Sequence, residues 1–78
     1  MEIINVKLGT NILDLLVELK ASSSKREAKE FVLNNAILLN GDKINDINYI
    51  VDNNSFIDNT YIVIKRGKKN YYIGKKEI

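Results

Sequence analysis

The most constraining feature of this sequence is a nearly continuous apolar segment close to its amino terminus. Residues 12–19 read Ile-Leu-Asp-Leu-Leu-Val-Glu-Leu, so only Asp14 and Glu18 are polar. A helix that is apolar around most of its circumference has to be buried. Thr10 or Asn11 can cap its first turn. The sequence therefore predicts a buried helix that supplies most of the core of a chain of only 78 residues.

A second helix is expected directly after the serine-rich segment that follows. Ser24 and Glu27 have the spacing of a capping box, in which the hydroxyl and the carboxylate each accept a hydrogen bond from a backbone N–H at the helix start. The helical pattern continues to about Leu33 or Asn34. Because the connection between the two helices is short, they should form an αα-hairpin.

Short strands are expected in the second half of the chain. Asn40-Gly41 follows the apolar residues 37–39 and predicts a hairpin with a type I′ turn, since both residues tolerate a positive φ. Residues 43–44 would form the return strand, and residues 61–65 and 70–73 would form a second hairpin. The expected fold is α+β, with a helical hairpin packed on a small, mostly antiparallel β-sheet.

The residue types that most often perform catalysis are missing from the chain. It contains no His and no Cys, the sources of the commonest general base and of thiolate chemistry. None of the six Ser and Thr residues has a His partner, and the four glycines are isolated, so no glycine-rich phosphate loop exists. We therefore expect no active site, no metal and no cofactor in this chain.

The chain also shows no sign of membrane insertion or export. Its longest uncharged stretch is far shorter than the ~20 residues that a membrane span needs. Met1 does not begin a basic and then apolar leader of the kind that directs secretion. A cytoplasmic location is therefore expected.

Positive charge is concentrated near the carboxyl terminus, although the net charge is only +2. Residues 65–76 contain six cations and no acid, and four of those cations lie on the turn at residues 65–69. Such close cations repel one another, and a polyanion would offset that repulsion. Strand alternation turns either Tyr71 or Tyr72 away from the core, where the ring could stack on a base. The alternative is an ordinary surface hairpin with one core tyrosine.

The second predicted helix carries a basic stripe beside its apolar face. Lys25, Arg26 and Lys29 fall within one sector of roughly 100° at helical spacing. This arrangement is typical of a surface that contacts an anion. It is equally consistent with a solvated helix face that local charge pairs stabilise.

Three segments with this spacing resemble the RNA-binding fold first described in the small-subunit ribosomal protein S-four. They are residues 15–18 (Leu-Leu-Val-Glu), 23–29 (Ser-Ser-Lys-Arg-Glu-Ala-Lys) and 36–44 (Ala-Ile-Leu-Leu-Asn-Gly-Asp-Lys-Ile). Residues 64–73 are similar to the last hairpin of bacterial tyrosyl-tRNA synthetases. Asn35 stands where that family usually has Gly, and Asn can also adopt the left-handed conformation.

The resemblance implies a function and a set of contacts. Residues 1–78 would form one S-four-like domain, the carboxyl-terminal fragment of a longer tyrosine–tRNA ligase. It would grip transfer RNA around the variable arm and anticodon stem, while other domains bind ATP and tyrosine and form a homodimer. The implied RNA contacts are Ser24, Lys25, Arg26, Lys29, Asn40, Lys43, Lys65, Arg66, Lys68, Lys69 and Tyr71.

Two other functions remain open from the sequence. The chain could be a free-standing S-four-like protein that binds ribosomal RNA. It could also be a protein-interaction module whose basic hairpin docks on an acidic partner. Competition by purified transfer RNA would separate RNA binding from binding to an acidic protein.

Overall fold

The computed structural model describes residues 3–77, which form two helices on a five-stranded sheet. In chain order the elements are β1 (Ile4–Val6), α1 (Ile12–Glu18), α2 (Lys25–Leu33), β2 (Ile37–Leu39), β3 (Asp42–Lys43), a 3-10 turn (Asn53–Ser55), β4 (Tyr61–Arg66) and β5 (Asn70–Lys76). The strand order is β1-β5-β4-β2-β3, and every neighbouring pair except β1–β5 is antiparallel. The predicted α+β fold is confirmed. No helix within residues 3–77 is long and apolar enough to cross a membrane.

Helix α1 is buried as the apolar pattern predicted. Ile12, Leu15 and Leu16 expose no surface, and the helix ends at Glu18, one residue before the predicted end. Asn11 is the cap: its Oδ1 accepts the Leu13 N–H at 2.8 Å, and its Nδ2 donates to the carbonyl of Ile47 at 3.1 Å. One side chain therefore both starts the helix and holds the distant 47–51 segment against it.

Helix α2 begins at the predicted cap with one change in its hydrogen bonds. The Ser24 hydroxyl accepts the Glu27 N–H at 3.2 Å, as expected. The Glu27 carboxylate accepts its backbone N–H from Ser23 at 3.0 Å instead of from Ser24. The helix ends at Leu33, and Asn35 has a φ of +59°, the left-handed conformation expected of it.

The first hairpin has the turn that its sequence predicted. Asn40 and Gly41 have φ values of +52° and +92°. The return strand β3 is shifted by one residue, since it spans Asp42–Lys43 instead of residues 43–44. The Asn40 side chain accepts the Val63 N–H at 2.8 Å and donates to the carbonyl of Ser55 at 2.6 Å. The turn is therefore anchored to β4 and to the 3-10 turn.

Strand β1 was missed in the sequence because three residues are too few to show a period. It pairs in parallel with β5, which extends to Lys76 instead of ending at residue 73. Gly74 makes this close approach possible: a Cβ there would lie 2.5 Å from Cγ2 of Val6 and 2.9 Å from Cγ2 of Ile62. Both neighbours are stiff β-branched side chains, so the strands themselves would have to move.

The two faces of the sheet differ because the helices cover only one of them. The covered face, here called the inner face, carries buried side chains at Ile37, Leu39, Ile62 and Ile64 that join the helices in one core. Residues alternating with these point to the opposite, outer face. Those on the central strands are Leu38, Tyr61, Val63, Lys65, Tyr71, Ile73 and Lys75.

Arg66 connects the sheet to α2 and to the loop that precedes it, at one edge of the inner face. Its Nη1 donates to the carbonyl of Ala21, in the loop between α1 and α2, at 2.6 Å. Its guanidinium carbon lies 5.4 Å from the centre of the Phe31 ring on α2 and 5.8 Å from that of Tyr72 on β5. Cation–π contacts of this kind add to the charged hydrogen bond. Arg66 therefore holds the second hairpin against the helical layer.

Replacing Gly74 by Ala should destabilise the domain strongly for so small a change. Overpacking a core commonly costs about 1–3 kcal/mol, and here two branched side chains leave no room. The free energy of unfolding, measured by urea titration, should fall by that amount. The exposed neighbour changed in Lys75→Ala is the control and should alter stability by less than about 0.5 kcal/mol. Equal stability of the two variants would contradict the close approach of β1 and β5.

Replacing Arg66 by Lys should destabilise the domain although the charge is kept. A lysine cannot combine the planar stacking on Phe31 and Tyr72 with the bond to Ala21. A loss of about 1–3 kcal/mol in the free energy of unfolding is expected from the charged hydrogen bond. The exposed Lys68→Gln serves as the control in the same urea titration. A fully stable Arg66→Lys protein would show that the guanidinium is dispensable.

Candidate functional site

The structure divides the eleven implied contact residues into four groups. One group starts α2, a second forms the tip of the second hairpin, a third lies on the outer face of the sheet, and the fourth is bonded inside the fold. In that order the groups are Ser24, Lys25, Arg26 and Lys29; Lys68 and Lys69; Lys43, Lys65 and Tyr71; and Asn40 and Arg66.

The group on α2 presents exposed charge at the start of the helix. Lys25, Arg26 and Lys29 are exposed, whereas Ala28 and Val32 on the adjoining sector are buried. Lys25 forms an ion pair with Asp14 of α1, with its Nζ 2.7 Å from Oδ1. Because the lysine side chain is largely exposed and the aspartate is partly exposed, this pair is weak and an anion can compete for the lysine.

The tip of the second hairpin is a tight three-residue loop. Arg66 and Asn70 pair across it, so residues 67–69 form the loop. Gly67 has a φ of +68°, and its N–H donates to the carbonyl of Ala36 at 2.9 Å. Lys68 and Lys69 are exposed, and neither ammonium forms an ion pair within the described residues. The fold therefore holds two uncompensated cations next to the end of α2.

Asn40 and Arg66 differ from the other predicted contacts because their side chains already form hydrogen bonds with backbone carbonyls or N–H groups elsewhere in the fold. Both functions of the Asn40 amide are bonded to backbone groups of Val63 and Ser55. Arg66 is half-buried and bonded to Ala21. The structure gives these two residues a role in shaping the site, in addition to whatever contact they make with a ligand.

The outer-face group lies on the other side of the sheet from the helices. Lys43 and Lys65 both pair with Leu38, and Lys65 also pairs with Tyr71, so all four side chains form one row. The Lys65 ammonium lies 5.5 Å from the centre of the Tyr71 ring. Of the two adjacent tyrosines, Tyr71 is therefore the exposed one, and Tyr72 packs against the core.

An open cleft of about 470 Å³ lies beside the α1–α2 loop and is bordered by Arg66. Its lining residues are Val17, Lys20, Ser22, Ser23, Glu27 and Arg66. Glu27 lies here because its carboxylate binds the backbone and hydroxyl of Ser23, which turns it toward the loop. Sequence periodicity could not place Lys20 in this cleft, because the chain turns there with a φ of +63°.

These groups can bind an extended anion. The cations are spread over the helix start, the hairpin tip and the outer face, so their separate fields add over a broad surface. Within residues 3–77 no three acidic side chains come together as a metal site would require. The arrangement matches recognition of a polyanionic backbone, in which several weak contacts act together.

Comparison with known proteins gives the family. The sequence model of the tyrosine--tRNA ligase SYY-like C-terminal domain matches residues 1–74. The tyrosine--tRNA ligase of Mycoplasma capricolum subsp. capricolum is 48% identical over 68 residues, which are 87% of this chain and 16% of that protein. The enzyme of Oceanobacillus iheyensis is 47% identical over 62 residues, covering 80% of this chain and 14% of that protein. The chain thus spans less than a fifth of the length of these relatives.

A solved structure has the same fold. The solution structure of a tyrosyl-tRNA synthetase C-terminal domain superposes with a TM-score of 0.77 at 32% sequence identity, over 96% of this chain and 76% of that one. The family match covers the helices, the first hairpin and nearly all of the second. This chain therefore belongs to the family of tyrosine–tRNA ligase C-terminal domains.

Proposed function

We propose that this domain binds transfer RNA on behalf of a tyrosine–tRNA ligase. The observation that carries the proposal is that two exposed basic groups, one at the start of α2 and one on the hairpin tip beside its end, lie on elements that pack together. Arg66 holds the hairpin that bears Lys68 and Lys69 against the loop that precedes α2. Phosphates of a structured RNA fit such a surface because each neutralised phosphate releases a counterion.

The positive end of the α2 dipole adds to the side-chain charges. The first backbone N–H groups of a helix are unpaired and favour a nearby anion. The Ser24 hydroxyl caps one of these groups, so the anion would be held by neighbouring N–H groups together with Lys25, Arg26 and Lys29. This helix start and the hairpin tip would contact successive stretches of the RNA backbone.

The parent protein and its ligands follow from the same proposal. The domain would grip the variable arm and anticodon stem of the transfer RNA for tyrosine, in the cytoplasm. ATP and tyrosine would bind elsewhere in the parent ligase, which would be a homodimer through its other domains. The domain itself would need no cofactor, since it would contribute only binding energy.

Charge reversal at the two basic groups should weaken RNA binding far more than reversal elsewhere. Lys68→Glu with Lys69→Glu, and separately Lys25→Glu with Arg26→Glu, should each lower the affinity for transfer RNA. For three to six phosphate contacts, the slope of log K against log salt should lie at about −2 to −5 and become shallower in both variants. Filter binding or fluorescence anisotropy over a salt series measures both quantities.

Lys7→Glu is the control for this experiment. Lys7 follows β1, which runs parallel to β5 and ends beside Lys76, at the opposite end of β5 from the hairpin tip. Its reversal should change affinity much less than either double variant. An affinity independent of salt, or equal losses at all three places, would overturn the proposed surface. Binding that an acidic protein competes for but transfer RNA does not would favour a protein-interaction module.

Removing the domain from its parent ligase should impair only one of the two half-reactions of the enzyme. Binding energy from a remote site can position the acceptor end of the RNA but does not act on the ATP chemistry. Pyrophosphate exchange with tyrosine should stay near normal while charging of tyrosine transfer RNA falls steeply. Equal loss of both reactions would indicate a structural role, and loss of neither would contradict the proposal.

A further inference from the structure

The outer face of the sheet carries a large apolar surface that the helices leave uncovered. Four of the large exposed hydrophobic residues lie on it or at its rim: Ile3 (51% exposed), Tyr71 (51%), Ile57 (46%) and Tyr61 (42%). A shallow groove of about 420 Å³ is lined by Ile3, Ile57, Tyr61, Val63 and Ile73. Contiguous exposed apolar surface on a small domain commonly marks a binding surface.

Strand register arranges this face in three rows. The middle row is apolar, since Val63 pairs with Ile73. Each flanking row places a tyrosine directly opposite a lysine: Lys65 pairs with Tyr71, and Tyr61 pairs with Lys75. Directly paired residues point to the same face and lie about 5 Å apart. The two flanking rows lie roughly 13 Å apart, because their β4 residues are four positions apart along the strand.

The charge on this face has a single sign. The outward-pointing residues of the described strands include Lys43, Lys65 and Lys75, with Asn5 beside Lys75, and none of these positions is acidic. Lysine is depleted at the centres of protein–protein interfaces, where its hydration is costly to remove. A tyrosine beside a lysine, in contrast, suits a single-stranded nucleic acid, because the ring can stack on a base and the ammonium can neutralise a phosphate.

We infer that the outer face is a second RNA-contact surface, which stacks unpaired bases on Tyr61 and Tyr71. Lys65 and Lys75 neutralise the phosphates next to those bases, and the row of Val63 and Ile73 between them excludes water from the base edges. This inference rests on the proposed RNA-binding function. It adds Tyr61 and Lys75 to the contacts, and it assigns a ligand class, unpaired nucleotides, distinct from the backbone phosphates at α2 and the hairpin tip.

Geometry favours two surfaces with different ligands over one continuous surface. The α2 cations lie on the helical layer, and the two tyrosines lie on the opposite side of the sheet. Lys68 and Lys69 lie at the tip of the β4–β5 hairpin, at one end of the sheet that separates these two faces. An RNA that bends around this tip can therefore present paired backbone to the helices and unpaired bases to the outer face.

The test uses this chain with two RNA probes, a short single-stranded oligouridylate and a blunt RNA duplex. Tyr61→Leu keeps an apolar side chain but removes the ring, so affinity for oligouridylate should fall about 5- to 100-fold, the range of one lost stacking contact. Tyr61→Phe should restore it. Affinity for the duplex should stay unchanged. Leu8→Ala, a change at a similarly exposed apolar residue outside the described strands and the groove lining, is the control.

The outcomes separate this inference from the function on which it rests. If Tyr61→Leu binds oligouridylate normally while Lys25→Glu with Arg26→Glu still weakens transfer RNA binding, the outer-face inference is wrong and the proposed function stands. If neither change affects any RNA, the proposed function falls as well. Protection of the Tyr61 and Tyr71 resonances by the parent's catalytic body without RNA would assign the face to protein docking and overturn the inference.

Discussion

The burial of α1 against the inner face of the sheet is the contact on which the rest of the domain depends. Without disulfides, a chain of 78 residues has only packing to hold it, and α1 contributes three side chains with no exposed surface. Its cap, Asn11, also fixes the 47–51 segment. Two short helices can cover only one face of a five-stranded sheet, so this same packing leaves the outer face open.

The proposed RNA-binding surface is a consequence of that one-sided packing. The cations on α2 are exposed because the helices form the outside of the molecule on that face of the sheet. The hairpin tip lies at one end of the sheet. Arg66 fixes the second hairpin relative to α2, since it bonds the loop before α2 and stacks on Phe31 and Tyr72. A residue that the sequence suggests as an RNA contact thus also helps to position other proposed contacts.

Glycine and asparagine at special backbone positions make the sheet possible. Asn35, Asn40 and Gly67 each adopt a positive φ, and together they end α2 and turn both hairpins. Gly74 has a different role, because it lets β1 approach β5 where any side chain would meet Val6 and Ile62. The sheet therefore depends on local backbone conformation at its turns. At the β1 edge it depends on the absence of a side chain at Gly74.

The sequence by itself determined the elements whose signals are local. The apolar run of α1, the Ser24 cap and the Asn40-Gly41 turn depend on neighbouring residues, so their positions were predictable to within about a residue. Three features were not predictable: the existence of β1, the packing of Arg66 against the core, and the division of the basic residues between two faces. These depend on which strands pair and in what register, and a pairing between residues 4–6 and 74–76 leaves no local pattern. Only the tertiary structure decided that Lys65 and Tyr71 lie opposite the face that α2 covers.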